Sequence, residues 1–345
     1  MAADRPICWE DVPCPLCGAR AEGELLRVCP GPGPERYRLV ACRQCGMVYM
    51  NPRPDEASIG RFYPDDYEWY QPPTRRVPWW RQRQEGLRRL VMSRLYGNPP
   101  PLRNLTEKLL AVLASPFFRP NAYSLTAIPY QGRGRLLDYG CGAGWFAHRM
   151  QQLGWDVTAM DFTEAAVARV ARRYNLPVLA GTLPHPDVGP ESFDVITMGA
   201  VLEHVHHPRR VIEAAARALR PGGYLAVSVP NLASWGFRYF GEDWWGLQIP
   251  QHLLHFTPAT LRRLLTSHGL EVRREQILRK PGWMRRSLKA AARREGRPRL
   301  LVRLGQSRAI AGLLSTWAAW RKQGDCLVML AYRPVVSVSA MRRAG

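Results

Sequence analysis

The 345-residue chain carries 49 Lys and Arg against 28 Asp and Glu, a formal net charge of +21, with 46% hydrophobic residues. That length holds a large α/β domain with small additions. The apolar stretches 109–118 and 309–320 are too short to cross a bilayer, which excludes a transmembrane helix there, and no internal repeat is visible.

The first motif in chain order is a pair of cysteine turns, Cys14-Pro15-Leu16-Cys17-Gly18 and Cys42-Arg43-Gln44-Cys45-Gly46, with 24 residues between Cys17 and Cys42. Two residues between cysteines let both sulfurs reach one tetrahedral ion, and the following glycine relieves the turn. The spacing predicts a structural zinc site held by Cys14, Cys17, Cys42 and Cys45. The competing reading is two disulfides. The opening MAADRPICWEDVPC has no apolar signal segment, so a cytoplasmic location is expected, where disulfides are rare. Cys8 and Cys29 lack the paired pattern. Residues 1–54 are therefore assigned to a zinc-binding segment. Residues 55–131 form a basic, Pro-rich bridge with a few amphipathic helices.

Next comes Leu136-Leu137-Asp138-Tyr139-Gly140-Cys141-Gly142-Ala143-Gly144-Trp145-Phe146, which reads as a buried strand, a glycine turn and a helix start. Glycines at alternate positions let backbone approach a flat ligand, with the free N–H groups of the turn and of the helix N-terminus facing it. Strand–helix units follow. Residues 155–160 form a strand ending at Asp161, about 20 residues past the turn, where an acid meets a ribose in dinucleotide folds. Thr163 is placed to N-cap a helix over 164–174. Short strands are read at 177–180 and 193–198. A helix then runs to Leu219 and stops at Arg220-Pro221-Gly222-Gly223, followed by a strand over 224–229.

Taken in order, LLDYGCGAGWF, FDVITMGAVLEHVHHP, LRPGGYLAVSVPN and PQHLLHFTPATLRRLLTSHGLEV resemble the class I S-adenosylmethionine-dependent methyltransferases, and most nearly their bacterial subgroup with an N-terminal zinc-binding segment. The resemblance covers residues 133–278 and the first fifty-odd. It implies a Rossmann-like α/β fold with a seven-stranded sheet whose last strand is antiparallel, over residues 132–334. The last two strands fall at 270–278 and 326–333, a cap region at 232–256 and a basic, helical insertion at 280–324. Residues 335–345 are a tail.

The resemblance also implies a cofactor site. Gly140, Gly142 and Gly144 would shape the loop around the methionine part. Asp138 would lie near its amino group and Asp161 would accept hydrogen bonds from the ribose hydroxyls. Phe162 would lie against the adenine, and Thr182 and Leu183 would meet its edge. Cys141 belongs to the same loop, and it and Cys326 read as packing residues. The rival role for Asp161 is a helix N-terminal carboxylate.

Positioning and desolvation do most of the work of such a reaction, but an acceptor hydroxyl also needs a base. Glu203 and His204 follow the fourth strand, and His252 precedes the helix that Thr257-Pro258 starts. His204 and His252 are the candidate bases, with structural hydrogen bonding as the alternative. His206, His207 and His255 read as structural. Trp235, Phe237, Tyr239, Phe240, Trp244 and Trp245 would wall an acceptor pocket or pack the core.

Charge bears on partners. Eleven Lys or Arg and one acid lie between Arg279 and Arg308, and seven Arg and one acid between Arg75 and Arg94. Such runs suit a solvated face, an anionic small-molecule acceptor, an anionic membrane surface or nucleic acid. Three functions stay open: methylation of a sugar-containing, secondary-metabolite or envelope intermediate; methylation of nucleic acid; and a non-catalytic binding module. Nucleic acid is disfavoured because residues 199–203 lack the Asn/Asp-Pro-Pro-aromatic tetrad of exocyclic-amine methylases.

Overall fold

A computed structural model describes residues 6–28, 37–63, 84–118, 125, 127–293 and 307–335. Cys29 and parts of both basic runs lie outside them.

Burial on both faces explains the central strands. β6 (Arg135–Tyr139), β7 (Asp156–Asp161), β8 (Val178–Ala180), β9 (Phe193–Gly199) and β10 (Leu219–Pro230) pair in parallel in the order β10-β9-β6-β7-β8. β9 is buried from Phe193 to Met198, the near-continuous apolar run of a doubly covered strand. β13 (Cys326–Tyr332) pairs antiparallel with both β10 and β12 (Glu271–Leu278). β12 ends the sheet, and the exposed positions along it alternate. The seven-stranded sheet with an antiparallel last strand is thus as expected.

Local rules account for most of the helices. These include α1 (Glu85–Tyr96) and α2 (Leu105–Phe118) in the bridge, then α3 (Trp145–Gln152), α4 (Glu164–Tyr174) and α5 (Pro208–Ala218). The short α6 (Trp235–Phe240) follows, then α7 (Pro258–Thr266), α8 (Pro281–Ala292) and α9 (Arg308–Trp320). A capping box of Thr257 and Thr260 starts α7, with Pro258 in its first turn. Thr163 stands at the N-cap of α4 but makes no side-chain cap. Its hydroxyl donates to Asp161 Oδ1 instead, at 2.9 Å. The stop at residues 220–223 differs too. β10 already begins at Leu219, and its register slips between Leu219 and Tyr224.

The N-terminal strands are not independent of this domain. β1 (Trp9–Glu10) pairs with β5 (Arg53–Pro54), while β2 (Glu22–Val28), β3 (Tyr37–Cys42) and β4 (Val48–Met50) form a small antiparallel sheet, which β11 (Leu254–His255) completes. β11 comes from the PQHLLHF motif, and Leu254 pairs with Tyr49 and His255 with Val48. Arg53 donates to the carbonyl of His206, and His206 Nε2 bonds the carbonyl of Pro54. The cysteine-bearing segment therefore packs directly behind the loop after β9.

Candidate active site

The glycine turn after β6 is held mainly from within. The amides of Gly140 and Cys141 both donate to the carbonyl of Met160, Gly144 donates to Cys141, and Gly142 donates to Asp161 Oδ2 at 2.9 Å. These N–H groups are therefore engaged by the protein, unlike the free donors expected from the sequence. The reason for glycine also differs in part. Gly140 has φ +76°, and a Cβ there would meet Val201 at 2.3 Å; Gly144 has φ +75°, and its Cβ would meet Val170 at 2.7 Å. Conformation and close packing of the turn on its neighbours require glycine there.

Asp161, at the end of β7, binds the turn through one oxygen and Thr163 through the other. Asp138, at the end of β6, is buried. One of its oxygens accepts from the Thr197 hydroxyl at 2.8 Å, and the other has no protein partner. Burial raises its carboxyl to about 7, against the Thr197 hydrogen bond and with help from the charge of Asp161. Burial likewise drives the Cys141 thiol up, so it stays a protonated packing residue.

Asp138, Gly140, Cys141, Gly142 and Asp161 line one cavity of about 1390 Å³, whereas Gly144 sits behind the turn against Val170. Phe162 is 48% exposed and edges against Tyr63 at 5.5 Å, and Thr182 and Leu183 complete that side. The volume exceeds the ~300–1,000 Å³ of common ligand pockets, leaving room for two molecules side by side.

The far side of the cavity carries Glu203, His204 and His252. Glu203 and His204 sit in the short 3-10 turn Leu202–His204 after β9. His252 comes from the PQHLLHF segment, which is tied to that turn by the Leu253 amide donating to the Glu203 carbonyl. One donor atom from each of the three side chains lies within 4.8 Å of the others, and the two rings meet edge to face at 4.6 Å. His204 Nδ1 lies 3.0 Å from the Gln251 carbonyl and 2.7 Å from the Tyr63 hydroxyl. A carbonyl only accepts, so this nitrogen carries the proton and Nε2 keeps the lone pair. The same holds for His252, whose Nδ1 lies 3.0 Å from the Gly246 carbonyl. Burial lowers His204 to about 4 and His252 well below its ordinary value, so both rings are neutral at pH 7. Glu203 is fully buried, and neither carboxylate oxygen has a protein partner. Burial raises it to about 8.

The aromatic segment has a different place from a pocket wall. Trp244 is buried and donates from Nε1 to Asp325, Phe240 is buried, and Trp235 stacks on Tyr239. It packs the core under α8 and α9. The cavity takes its aromatic lining from Tyr63, Tyr139, Trp145, Phe146, Phe162, Trp283 and Trp320. Tyr63 and Trp283 were not legible as site residues, because the bridge and the start of the insertion reach the site only through tertiary contacts. Their neighbours Arg279 and Lys280, with Arg210, give that wall positive charge.

Away from the cavity, the sulfurs of Cys14, Cys17, Cys42 and Cys45 lie within 4.8 Å of one another. Cys14 and Cys45 approach to 3.5 Å, and Cys17 and Cys42 to 3.6 Å. Four sulfurs at about 2.3 Å from one zinc would stand about 3.8 Å apart, close to these edges. Burial opposes a thiolate at Cys42, but the amides of Cys45 and Gln44 together with the thiols of Cys17 and Cys45 outweigh it and bring this thiol to about 7, while burial pushes Cys14 and Cys45 up. The four side chains fit a structural zinc ion.

A sequence model described as a methyltransferase domain matches residues 79–275, more than half of the chain. The chain belongs to this methyltransferase family. The ubiquinone biosynthesis O-methyltransferase of Idiomarina loihiensis is 32% identical over 152 residues, covering 40% of this chain and 61% of that protein. That of Xanthomonas euvesicatoria is 34% identical over 151 residues, covering 40% and 63%. The match thus spans about three-fifths of these curated relatives. Among solved structures, an S-adenosylmethionine-dependent methyltransferase from Mesorhizobium loti aligns with a TM-score of 0.43 at 19% identity, covering 60% of this chain and 94% of that one. One from Methanosarcina mazei aligns with a TM-score of 0.39 at 18% identity, covering 60% and 95%. No helix among the described residues is long and apolar enough to cross a membrane.

Proposed function

We propose that the chain transfers a methyl group from S-adenosylmethionine to a small-molecule acceptor, a sugar-containing, secondary-metabolite or envelope intermediate. One observation carries the reading: the glycine turn, Asp138, Asp161 and the Glu203–His204–His252 group line the same cavity. The unpartnered oxygen of Asp138 suits a cationic amino group. Asp161 keeps acceptor capacity for one ribose hydroxyl, since two donors fill Oδ1 and one occupies Oδ2, leaving one of about four positions. Phe162 offers an exposed ring face to a base, beside Thr182 and Leu183. The cofactor supplies an activated methyl on a sulfonium.

The chain's own residues then hold the acceptor. Neutral imidazoles at His204 and His252 offer Nε2 lone pairs to an acceptor hydroxyl, and Trp283 and Trp320 line the wall beside it. Arg210, Arg279 and Lys280 favour an anionic acceptor. Similarity to relatives named O-methyltransferases favours oxygen as the methylated atom. The four-cysteine segment serves as a zinc-bound brace behind the loop after β9.

The test is a methyl-transfer screen over nucleotide sugars, lipid-linked glycans, phenolic intermediates and RNA, read by mass, beside calorimetry with S-adenosylhomocysteine. We expect saturable S-adenosylhomocysteine binding and a mass gain of one methyl on a small acceptor. No binding, or methylation of RNA alone, overturns the reading.

A further inference from the structure

Glu203, His204 and His252 have a feature that a base needing one nitrogen does not explain. Two histidines and a carboxylate converge, with one donor atom of each within 4.8 Å of the others. Each ring is oriented by an Nδ1 contact to a backbone carbonyl, of Gln251 for His204 and Gly246 for His252. That is how a protein fixes the tautomer of a metal-ligating histidine. Between them sits a carboxylate with no exposed surface and no hydrogen bond. Lys280, at α8's N-cap, lines the same cavity and its charge favours the ionised carboxylate, yet no ion pair forms. A buried carboxylate without a partner is costly, and metal coordination is one of the few arrangements that compensates it.

We propose that Glu203, His204 and His252 form a binding site for a divalent first-row transition metal ion, open towards the cavity so that an oxygen of the acceptor completes the coordination. Two imidazoles and one carboxylate suit manganese, iron, cobalt or zinc better than magnesium or calcium, which prefer all-oxygen shells. Bonds of about 2.1 Å to one ion bring donors to within about 3–4 Å, so modest side-chain rotation closes the set. A hydroxyl bound there becomes more acidic and releases its proton to solvent water. The inference rests on the proposed methyl transfer for the identity of that oxygen ligand, but metal binding does not depend on it.

The experiment uses the full chain with its cysteine site loaded with zinc, titrated with Mn²⁺ and followed by electron paramagnetic resonance. Manganese avoids thiolate sites, so the two centres are distinguished. One saturable Mn²⁺ per chain is expected, with nuclear modulation from two coordinated imidazole nitrogens. Glu203→Gln and His252→Gln should each weaken it at least about 10- to 100-fold, more than loss of an outer-shell partner does. S-adenosylhomocysteine calorimetry on the same variants reports whether they fold, since that ligand is read to bind at Asp138 and Asp161. No saturable Mn²⁺ or Co²⁺ binding at millimolar metal, a signal without imidazole nitrogen, or unchanged affinity in folded Glu203→Gln would each overturn the site. If wild type binds Mn²⁺ but not S-adenosylhomocysteine, the methyl-transfer reading fails and the metal site stands.

Discussion

The hydroxyl of Tyr63 lies 2.7 Å from Nδ1 of His204. Tyr63 belongs to the N-terminal third of the chain and His204 to the loop after β9, 141 residues away. The same hydroxyl is 3.4 Å from the Gln251 carbonyl, so one phenol ties together three segments at the cavity. Removing it should leave the ring held by Gln251 alone. Tyr63→Phe is expected to lower turnover about 2- to 10-fold, the worth of one hydrogen bond, with S-adenosylhomocysteine affinity unchanged. Steady-state kinetics beside calorimetry checks both halves; unchanged turnover would show that Tyr63 only packs.

Asp161 holds both the glycine turn and Thr163, so its loss is felt twice. Asp161→Ala should weaken S-adenosylhomocysteine by at least the 1–3 kcal/mol or so of its hydrogen bonds, and should also loosen the turn. Gly142→Arg should abolish binding. Calorimetry reads both, and wild-type affinity in either variant would remove this residue set from the cofactor site.

Gly140→Ala is expected to destabilise the fold by about 1–3 kcal/mol, because its φ of +76° is strained for alanine and the methyl would strike Val201. Thermal unfolding measures this without any ligand. A neutral result would mean that the turn relaxes freely.

Asp138 gives the pH dependence. Its carboxyl lies at about 7 in the folded chain, raised from 3.8 mainly by burial. The folded state therefore binds the extra proton between these values, and stability falls as pH rises through that window. Above about 7 the burial penalty is complete, so Asp138→Asn should be more stable than wild type at pH 8 and closer to it at pH 5. Cofactor binding has the opposite sign, because a cationic amino group favours the ionised form. Affinity should rise about tenfold from pH 6 to pH 8 in wild type and stay flat in Asp138→Asn. A flat wild-type profile would detach Asp138 from the cofactor's charge.

For the zinc segment, metal analysis should find about one equivalent of zinc that survives Glu203→Gln. Cys14→Ser with Cys42→Ser should lose it and lower the melting temperature, since binding and local folding are one event. Because β11 completes the small sheet and Arg53 bonds His206, turnover should fall as well. A Cys14–Cys17 or Cys42–Cys45 disulfide in protein isolated under reducing conditions would refute the assignment.

The sequence by itself determined the central sheet, the glycine turn, the two acids at strand ends and the four-cysteine cluster. Each rests on local rules: runs of apolar residues buried on both faces, turn chemistry, and ligand spacing within a few residues. It also marked Glu203, His204 and His252 as candidates. Only tertiary structure decided that the three converge, because His252 reaches Glu203 through a segment that pairs with the cysteine-bearing sheet. The same holds for the cavity wall. Trp235 and Trp244 read equally as pocket lining or core packing; Trp244 is buried in the core, held by a hydrogen bond to Asp325, 81 residues on, and Trp235 packs against that core partly buried. Trp283 carried no motif, yet it lines the site together with Tyr63 and Trp320. Which face an aromatic residue presents depends on what packs against it from distant segments, and no local pattern encodes that choice.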